Sequence, residues 1–393
     1  MEVWLFELLK GFGKLFLHPF FYGALIAALL LGLKRVKRER RDFHIRVHDT
    51  VTELIQLVLP GIVIGLICSV LTLGIGLTIS KGFLTVVGAL SLLFALTTQV
   101  RWLSPAYTVS FALLVVFLVP QLNESWAEAL QISNASYIYL AVLLVLLVGA
   151  EAFLIRRSGA RNTSPLLAKG KRGKLIGAHE AKKLWMLPLF LLIPVDNGIT
   201  QLPWWPVFAA GNGETYTFML VPFAVGFHQR VSSELPSVVV NRMGRQVMGL
   251  AMLLALIAVA SYWVSYAAVA TAAVAVIGRE WITYRQKRKD DEQPNLFTSR
   301  KDGLIITGII PKSPAEKLGV QIGERIQKVN GQAVNTEKGF YEALQLNLAF
   351  CKMEVVDLNG EMRFAQSAVF EGEHHELGLL FIPDEKVKVT RTG

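Results

Sequence analysis

The sequence predicts a polytopic α-helical membrane domain followed by a small α+β domain. Residues before position 280 form long apolar stretches separated by charged loops, whereas residues 290–393 carry charges interspersed among short apolar runs. The hydrophobic content of 53% therefore averages two different kinds of sequence. Because about 100 residues suffice for one small core, we divide the chain into a multi-span domain of seven to nine helices (1–280), a basic-to-acidic juxtamembrane linker (281–294) and an α+β domain (295–393).

Five apolar stretches in the first 156 residues are long enough to cross a membrane, within a residue or two at each end. A helix needs about 20 apolar residues to span a hydrocarbon layer of ~30 Å. The stretches are residues 15–33, 54–79, 83–98, 105–121 and 137–155. No small-residue cleavage site precedes the basic cluster that starts at Lys34, so the first stretch is predicted to be an uncleaved membrane segment.

The apolar stretches of the next hundred residues are less regular. Residues 184–202 and 216–227 are shorter and are broken by proline, so each is predicted to be either a kinked span or half of a re-entrant hairpin. The prolines are Pro188, Pro194 and Pro222. Residues 247–278 carry no charge over 32 positions, which is too long for one comfortable crossing and barely enough for two.

The distribution of basic residues predicts the orientation of the spans. Lysine and arginine concentrate in residues 34–46, 156–183 and 279–289, whereas the loops at 122–136 and 196–215 carry acidic residues and no basic ones. Cytoplasmic loops of membrane proteins are enriched in lysine and arginine. The three basic segments, and with them the C-terminal domain, are therefore predicted to be cytoplasmic. This topology explains the net charge of +10 without nucleic-acid binding.

The residue patterns of common hydrolases and metal sites are absent from the sequence. His179 and His375 are each followed by glutamate, but neither has the second histidine four positions on that a zinc protease needs. Cys68 and Cys351 lie in different domains and offer neither a disulfide framework nor a zinc site. No serine-protease constellation, phosphate loop or dinucleotide fingerprint occurs. We predict no catalytic residue, metal or cofactor.

Few ionisable residues fall inside the predicted spans, although a transporter usually has some there. His18 precedes Pro19 at the start of the first span, and Glu151 is assigned to snorkelling or local pairing with Arg156. Gly61 and Gly65 are predicted to let helices approach each other closely.

The start of the C-terminal domain has a characteristic order of elements. Residues 304–310 are rich in β-branched side chains and predict a strand, a short helix begins at Ser313 and ends at Gly319, and a further strand closes at the Asn330–Gly331 turn. This order resembles that of bacterial PDZ domains. Such domains bind peptides by strand addition, while a loop of backbone N–H groups captures a C-terminal carboxylate.

The resemblance implies a peptide groove made of a strand, a helix and the carboxylate loop. Residues 336–348 predict the helix, with Phe340 and Leu344 on one side. The glycine-containing segment 377–381 resembles the carboxylate loop, but it follows the strand that it usually precedes, so the domain would be a circular permutant. The predicted peptide-binding residues are Gly378, Leu379, Leu380, Phe381, Phe340 and Leu344.

Two alternatives to this groove stay open. Residues 295–297 (Asn-Leu-Phe) lie in the usual order for a carboxylate loop but lack the glycine. Residues 377–381 could instead form a final core strand, with Phe340 and Leu344 in the core beneath the groove.

The chain combines an opening Leu17-His18-Pro19-Phe20 segment, several predicted spans, a basic cytoplasmic loop and one terminal PDZ-like domain. This whole layout is similar to that of the MinJ family, the topological determinants of cell division in Gram-positive rods. The resemblance implies a non-enzymatic membrane adaptor, enriched at septum and poles, that bridges a DivIVA-like scaffold to a MinD-like ATPase. It also implies contacts with the lipid bilayer and with other membrane division proteins, and no nucleic acid or cofactor.

Two other functions fit the same layout. One is a regulatory subunit that presents substrates to a separate membrane protease, and the other is a transporter with a PDZ sensor domain. Identification of partners tests the first, and substitution of His18 and Glu151 tests the second.

Overall fold

The computed structural model describes residues 2–122, 134–171, 173–196, 198–200, 205, 215–264, 266–300, 302–347, 350–368 and 377–383. The two loops that we expected to face outward, 122–136 and 196–215, therefore lie largely outside the described residues. The helices of the membrane domain are α1 (Glu2–Leu17), α2 (Pro19–Phe43), α3 (Val51–Ile75), α4 (Lys81–Leu96), α5 (Pro105–Leu122), α6 (Asn134–Leu154), α7 (Pro236–Ala260) and α8 (Tyr266–Glu292). Its strands are β1 (Ser164–Lys169), β2 (Leu175–Val195), β3 (Ile199–Thr200) and β4 (Thr215–Val231).

Four helical segments among the described residues are long and apolar enough to cross a membrane. They are Pro19–Phe43, Val51–Ile75, Tyr137–Gly159 and Pro236–Ala260, and two shorter apolar helices lie at Lys81–Leu96 and Pro105–Val119. Large apolar side chains such as Val63, Ile67 and Val70 remain exposed along α3, as expected of a surface that faces lipid. The prediction of a helical membrane domain is confirmed.

Of the two alternatives for residues 184–202 and 216–227, the kinked helical span is wrong, because the described residues of both segments lie mainly in strands. β2 and β4 pair antiparallel over residues 179–195 and 215–231. For residues 216–227 the reason lies in their length: a 12-residue helix spans only about 18 Å, whereas about 10 residues of tilted strand cross the hydrocarbon layer. Residues 184–202 are long enough for a helix but pair with this strand instead. Pro188 and Pro222 lie directly opposite each other, so the prolines that would break helices fall at one level of the hairpin.

One edge of this hairpin is satisfied by hydroxyl groups of α3. The Ser69 hydroxyl accepts a bond from the Phe190 amide at 3.0 Å, and the Thr72 hydroxyl donates one to the Phe190 carbonyl at 2.6 Å. Ser69 also donates to the Pro188 carbonyl at 3.4 Å. Backbone groups on an uncovered strand edge would have no partner in lipid, so these two side chains supply what a further strand would.

Glycine allows α3 to reach the strand. A methyl group on Gly61 would overlap the Met186 carbonyl, and one on Gly65 would lie 2.6 Å from the Pro188 carbonyl oxygen. We expected these glycines to bring helices together, but the close approach is between a helix and a strand. The contact of α3 with β2 is among the most extensive in the molecule.

The remaining parts of the hairpin edges are covered by other segments. Leu77 and Ile79 bond to both backbone groups of Leu192, at 3.1 and 2.9 Å, and β1 pairs with β2 over residues 175–180. On the β4 side, Gly11 of α1 packs against the Phe218 carbonyl. The hairpin is thus enclosed within the membrane domain.

Residues 247–278 form parts of two helices, α7 and α8, that pack against each other. On α8, Arg279 pairs at 3.1 Å with Glu151 of α6, and both side chains are buried. The Ser104 hydroxyl donates a second bond to Glu151 at 2.6 Å. Glu151 therefore pairs with a distant helix rather than with Arg156, and the pair joins α6 to α8. A buried ion pair needs such additional hydrogen bonds to offset its desolvation.

The C-terminal domain, here the module, is a small α+β fold with its own core. Its elements are β5 (Leu304–Ile305), β6 (Gly308–Ile309), α9 (Pro314–Lys317), β7 (Arg325–Val329), β8 (Gln332–Ala333), α10 (Glu337–Gln345), β9 (Phe350–Val356), β10 (Met362–Ala368) and β11 (Leu379–Leu380). One sheet has the strand order β10-β9-β7-β5, and β11 pairs with β6 in a second. The core includes Ile326, Val329, Phe340, Met353 and Val355.

We predict that Gly61→Ala destabilises the membrane domain and that Gly74→Ala does not. Both glycines lie on α3, but a methyl group on Gly74 meets no atom within 4 Å, whereas one on Gly61 overlaps the Met186 carbonyl. Overpacking typically costs about 1–3 kcal/mol, more than the ~1 kcal/mol that alanine gains in a helix. Thermal unfolding of the full-length protein in detergent measures both variants, and equal midpoints would contradict this account of the packing.

Candidate functional site

The loop at Gly378 is a tight turn that only glycine suits. Gly378 has a φ of +88°, and a methyl group there would overlap the Ser313 side chain. The loop is tied to both neighbouring segments, because Ile310 N donates to Gly378 O at 2.8 Å and Ala315 N donates to Leu377 O at 2.9 Å. Gly378 thus holds the start of β11 against the start of α9.

The residues of β11 and Ile382 point alternately to two different surroundings. Leu379 and Phe381 enter the module core, where the Phe381 ring lies 5.0 Å from that of Phe340. Leu380 packs against Gly308, and Ile382 joins a cluster with Leu167 and Leu175 of the membrane domain. This strand is therefore packed between the module core and the membrane domain.

One edge of β11 carries no strand among the described residues. β6 occupies the other edge, where Thr307 N donates to Leu380 O at 2.8 Å. Because neighbouring residues of a strand present their backbone groups to opposite edges, those of Leu379 and Phe381 face the edge away from β6. Such an edge can accept an extended peptide.

The structure brings four of the six predicted peptide-binding residues into one core: Phe340, Leu344, Leu379 and Phe381. Gly378 begins the same strand, Leu380 points to its other face, and all of the side chains except that of Gly378, which has none, are buried. Phe340 and Leu344 lie at 0% and 1% exposure in the module core, as the second alternative expected. Phe340 and Leu344 pack against the core face of β11. A ligand on the free edge of β11 would therefore bond to its backbone rather than to these side chains. Tyr341, half-buried beside Phe340, is the aromatic residue of α10 that stays partly accessible.

Residues 295–297, the alternative candidate for the carboxylate loop, lie against strand β2 of the membrane domain. Phe297 is fully buried, and its carbonyl accepts a bond from Gly177 N of β2 at 2.9 Å. The next residue, Thr298, forms a bridge with Ile176. This segment joins the module to the sheet of the membrane domain.

His179 is a buried contact between the two domains that sequence reasoning missed. Its Nε2 lies 2.8 Å from the Thr307 carbonyl oxygen and its Nδ1 lies 3.1 Å from the Thr163 hydroxyl. A carbonyl only accepts, so Nε2 carries the proton and the neutral ring accepts from Thr163. Burial lowers the pKa of His179 to about 4, although the bond to Thr307 opposes this shift. Gly177 nearby permits the close approach of Thr307 and Phe297.

Several basic residues that we interpreted only as topological charges form ion pairs with distant carboxylates. Arg35 pairs with Glu53, and Arg38 pairs with Glu180, which also accepts from His228 at 2.9 Å. Burial raises the pKa of Glu180, but His228 and Arg38 outweigh burial and lower it to about 2. These pairs join residues up to 142 positions apart, which no local pattern reveals.

Residues 281–292, which we interpreted as part of a linker, continue helix α8. Asp290 accepts bonds from the amides and hydroxyls of Ser232 and Ser233, at 2.6 to 3.2 Å. The helix end is therefore fixed to the loop between β4 and α7, and the module follows directly.

Known proteins support this organisation. Residues 305–356 match the family model of the PDZ domain. The chain is 40% identical over 385 residues to the cell division topological determinant MinJ of Bacillus subtilis (strain 168), covering 98% of this chain and 97% of that protein. It is 26% identical over 372 residues to the probable cell division topological determinant MinJ of Lacticaseibacillus paracasei, covering 93% and 95%. The helical membrane domain followed by a PDZ domain is thus confirmed.

We predict that Gly378→Ala loosens the module more than Gly360→Ala does. Both glycines have a positive φ, +88° and +89°, but only Gly378 faces a side chain within contact distance. The backbone strain of about 1–2 kcal/mol is common to both, and the clash with Ser313 adds roughly 1–3 kcal/mol at Gly378. Amide hydrogen exchange of β7 and β9 in the full-length protein reports the difference. Equal protection in the two variants would exclude the packing of Gly378 against Ser313.

We also predict that acid weakens the docking of the module. His179 has a pKa of about 4 against an ordinary 6.5. The docked state therefore binds fewer protons than the separated state below pH 6.5, so docking is strongest above that pH and weakens as pH falls towards 4. At pH 5 the loss is about 2 kcal/mol, from about 1.4 kcal/mol per pKa unit.

Spin labels on exposed positions, Arg41→Cys and Lys338→Cys, measure this docking as a distance distribution. The distribution should broaden at pH 5 and, at pH 7.5, in His179→Ala. The control is His44→Asn, an exposed histidine whose φ of +65° asparagine tolerates. A distribution unchanged by pH and by His179→Ala would refute a role of His179 in docking.

Proposed function

The chain belongs to the MinJ family of cell division topological determinants, and from this we propose that it is a membrane-anchored, non-enzymatic adaptor. In this proposal the helices hold the protein in the bilayer in several passes, with the module in the cytoplasm. The basic residues clustered at 34–46 and 279–289 support that orientation, because they flank the end of the membrane domain at which the module lies.

The unpaired edge of β11 carries the proposal for binding. We assign Gly378 to the carboxylate loop, the backbone of Leu379, Leu380 and Phe381 to strand addition or its support, and Phe340 and Leu344 to the packing beneath. An extended peptide of the partner would add beside β11, with Tyr341 at its side. The contacts that support this are the pairing of β11 with β6 on one edge only, within the described residues, and the positive φ of Gly378.

The fixed position of the module suits an adaptor. Bonds from Gly177 to Phe297 and from His179 to Thr307 hold the module on the sheet that enters the membrane domain. A partner bound to β11 would therefore be kept at a constant distance from the bilayer. A short flexible tether would allow a range of distances instead.

For the partners we propose a DivIVA-like scaffold and a MinD-like ATPase, which the adaptor bridges at septum and poles. The module recruits a cytosolic partner, and the membrane domain contacts other division proteins in the bilayer. The full-length similarity to proteins named as cell division topological determinants supports this proposal.

We predict that Tyr341→Glu abolishes septal and polar enrichment of a fluorescently tagged full-length protein in rod-shaped cells lacking the native copy. The added charge lies next to Phe340 at the proposed groove and would oppose peptide addition. The matched control is Phe364→Glu on β10, where the ring is 59% exposed on a different strand of the module. Truncation after Lys289 is less informative, because it also removes Asp290, which fixes the end of α8 to Ser232 and Ser233, and Phe297, which bonds to the membrane-domain sheet.

Membrane amounts of both variants and protection of β7 from hydrogen exchange establish that each is folded. Enrichment that survives Tyr341→Glu, or is lost only in Phe364→Glu, would refute the groove. A uniform membrane signal of the unmodified protein would refute the septal adaptor itself.

A further inference from the structure

A large basic cavity lies where the membrane domain meets the module. Its volume is about 940 Å³, within the range of ordinary ligand sites. It is bounded by the turn between β1 and β2, the end of β4 and the last turns of α8. Six basic residues line it: Arg101, Lys169, Lys171, Lys174, Arg230 and Lys287.

Most of these cations lack an acidic partner. In the described part of the chain, no carboxylate forms an ion pair with Lys169, Lys174, Arg230 or Lys287, and all four are exposed. Arg101 pairs with Glu280 at 2.7 Å, and Lys171 bonds to the Asp291 carbonyl. Four cations without an ion-pair partner in one cavity repel one another, and an anion between them would reduce that repulsion.

Two of the three carboxylates in the wall are already engaged. Asp290 is bonded to Ser232 and Ser233, and Glu292 pairs with Arg288 at 2.7 Å. The wall also holds the neutral polar side chains of Asn295 and Thr298. Basic side chains with such neighbours are the usual ligands of a phosphate group.

The cavity lies near the boundary of the apolar layer. Trp281 and Tyr284 of α8 are 61% and 57% exposed and flank Thr283, which lines the cavity. Exposed aromatic rings of this kind favour the headgroup region of a bilayer. Just before them, the buried Arg279 belongs to the apolar interior of the helix bundle. A headgroup at the membrane surface could thus reach the cavity.

We propose that this cavity binds the phosphate of an anionic phospholipid headgroup. Lys174, Arg230 and Lys287 contact the phosphate, and the acyl chains lie along the outside of α8 beside Trp281 and Tyr284. The bound lipid joins the β1–β2 turn, β4 and α8 at the junction with the module, so it stabilises that junction. Free phosphate shares the chemistry of the headgroup but lacks the contribution of the acyl chains.

The test uses the full-length protein in an uncharged detergent. Thermal unfolding is measured with added phosphatidylglycerol, phosphatidylcholine or inorganic phosphate, and native mass spectrometry counts the bound lipids. Phosphatidylglycerol should raise the unfolding midpoint, because a ligand that binds only the folded state stabilises it. Phosphatidylcholine and phosphate at equal concentration should have little effect.

The triple variant Lys174→Gln, Arg230→Gln and Lys287→Gln should weaken phosphatidylglycerol binding by roughly tenfold or more. Its matched control, Lys317→Gln, Lys328→Gln and Lys352→Gln, removes the same charge from the module surface and should bind normally. All three cavity residues are exposed, so the lipid-free midpoint should stay unchanged. Equal responses to the two lipids, equal losses in both triple variants, or a response to phosphate that the lipid does not exceed would overturn the lipid site.

Discussion

The architecture depends on the requirement that backbone N–H and C=O groups find partners inside lipid. A hairpin of two strands has two edges, and an isolated hairpin would expose both. Here α3 brings Ser69 and Thr72 to the backbone of Phe190, the segment of Leu77 and Ile79 bonds to Leu192, and β1 pairs with residues 175–180 of β2. The helices therefore enclose the hairpin. Gly61 and Gly65 let α3 approach the strand, and Ser69 and Thr72 bond to its backbone edge.

The same hairpin positions the module. β2 extends beyond its apolar part to Leu175, where Ile176 and Gly177 pair with Thr298 and Phe297. The strand that is enclosed in the membrane domain thus continues directly into the contact with the module, and His179 adds a bond to Thr307. A rigid strand transmits position better than a flexible loop would, which explains how a module with only a short connection to α8 acquires a fixed location.

Sequence reasoning predicted the features that depend on local pattern. Apolar length identified the helical spans, and the turn glycines with β-branched runs identified the PDZ domain. The helical alternative at 184–202 and 216–227 failed because apolar composition does not distinguish a strand enclosed by helices from a helical span, although residues 216–227 are too short for such a helix. Sequence reasoning also failed for Glu151 and Arg38, because their partners Arg279 and Glu180 lie more than a hundred positions away.

β11 takes part in two interfaces at once, the module core and the contact with the membrane domain. It is the last described strand, yet it completes the module core through Leu379 and Phe381 and contacts the membrane-domain side through Leu380 and Ile382. A ligand on its unpaired edge would therefore add to a strand whose two faces belong to different interfaces. Any shift of β11 on binding would change its packing against Gly308 and Pro165 as well as against Phe340. If a peptide binds β11 as proposed, docking of the module and ligand binding would be coupled, because both use the same few residues.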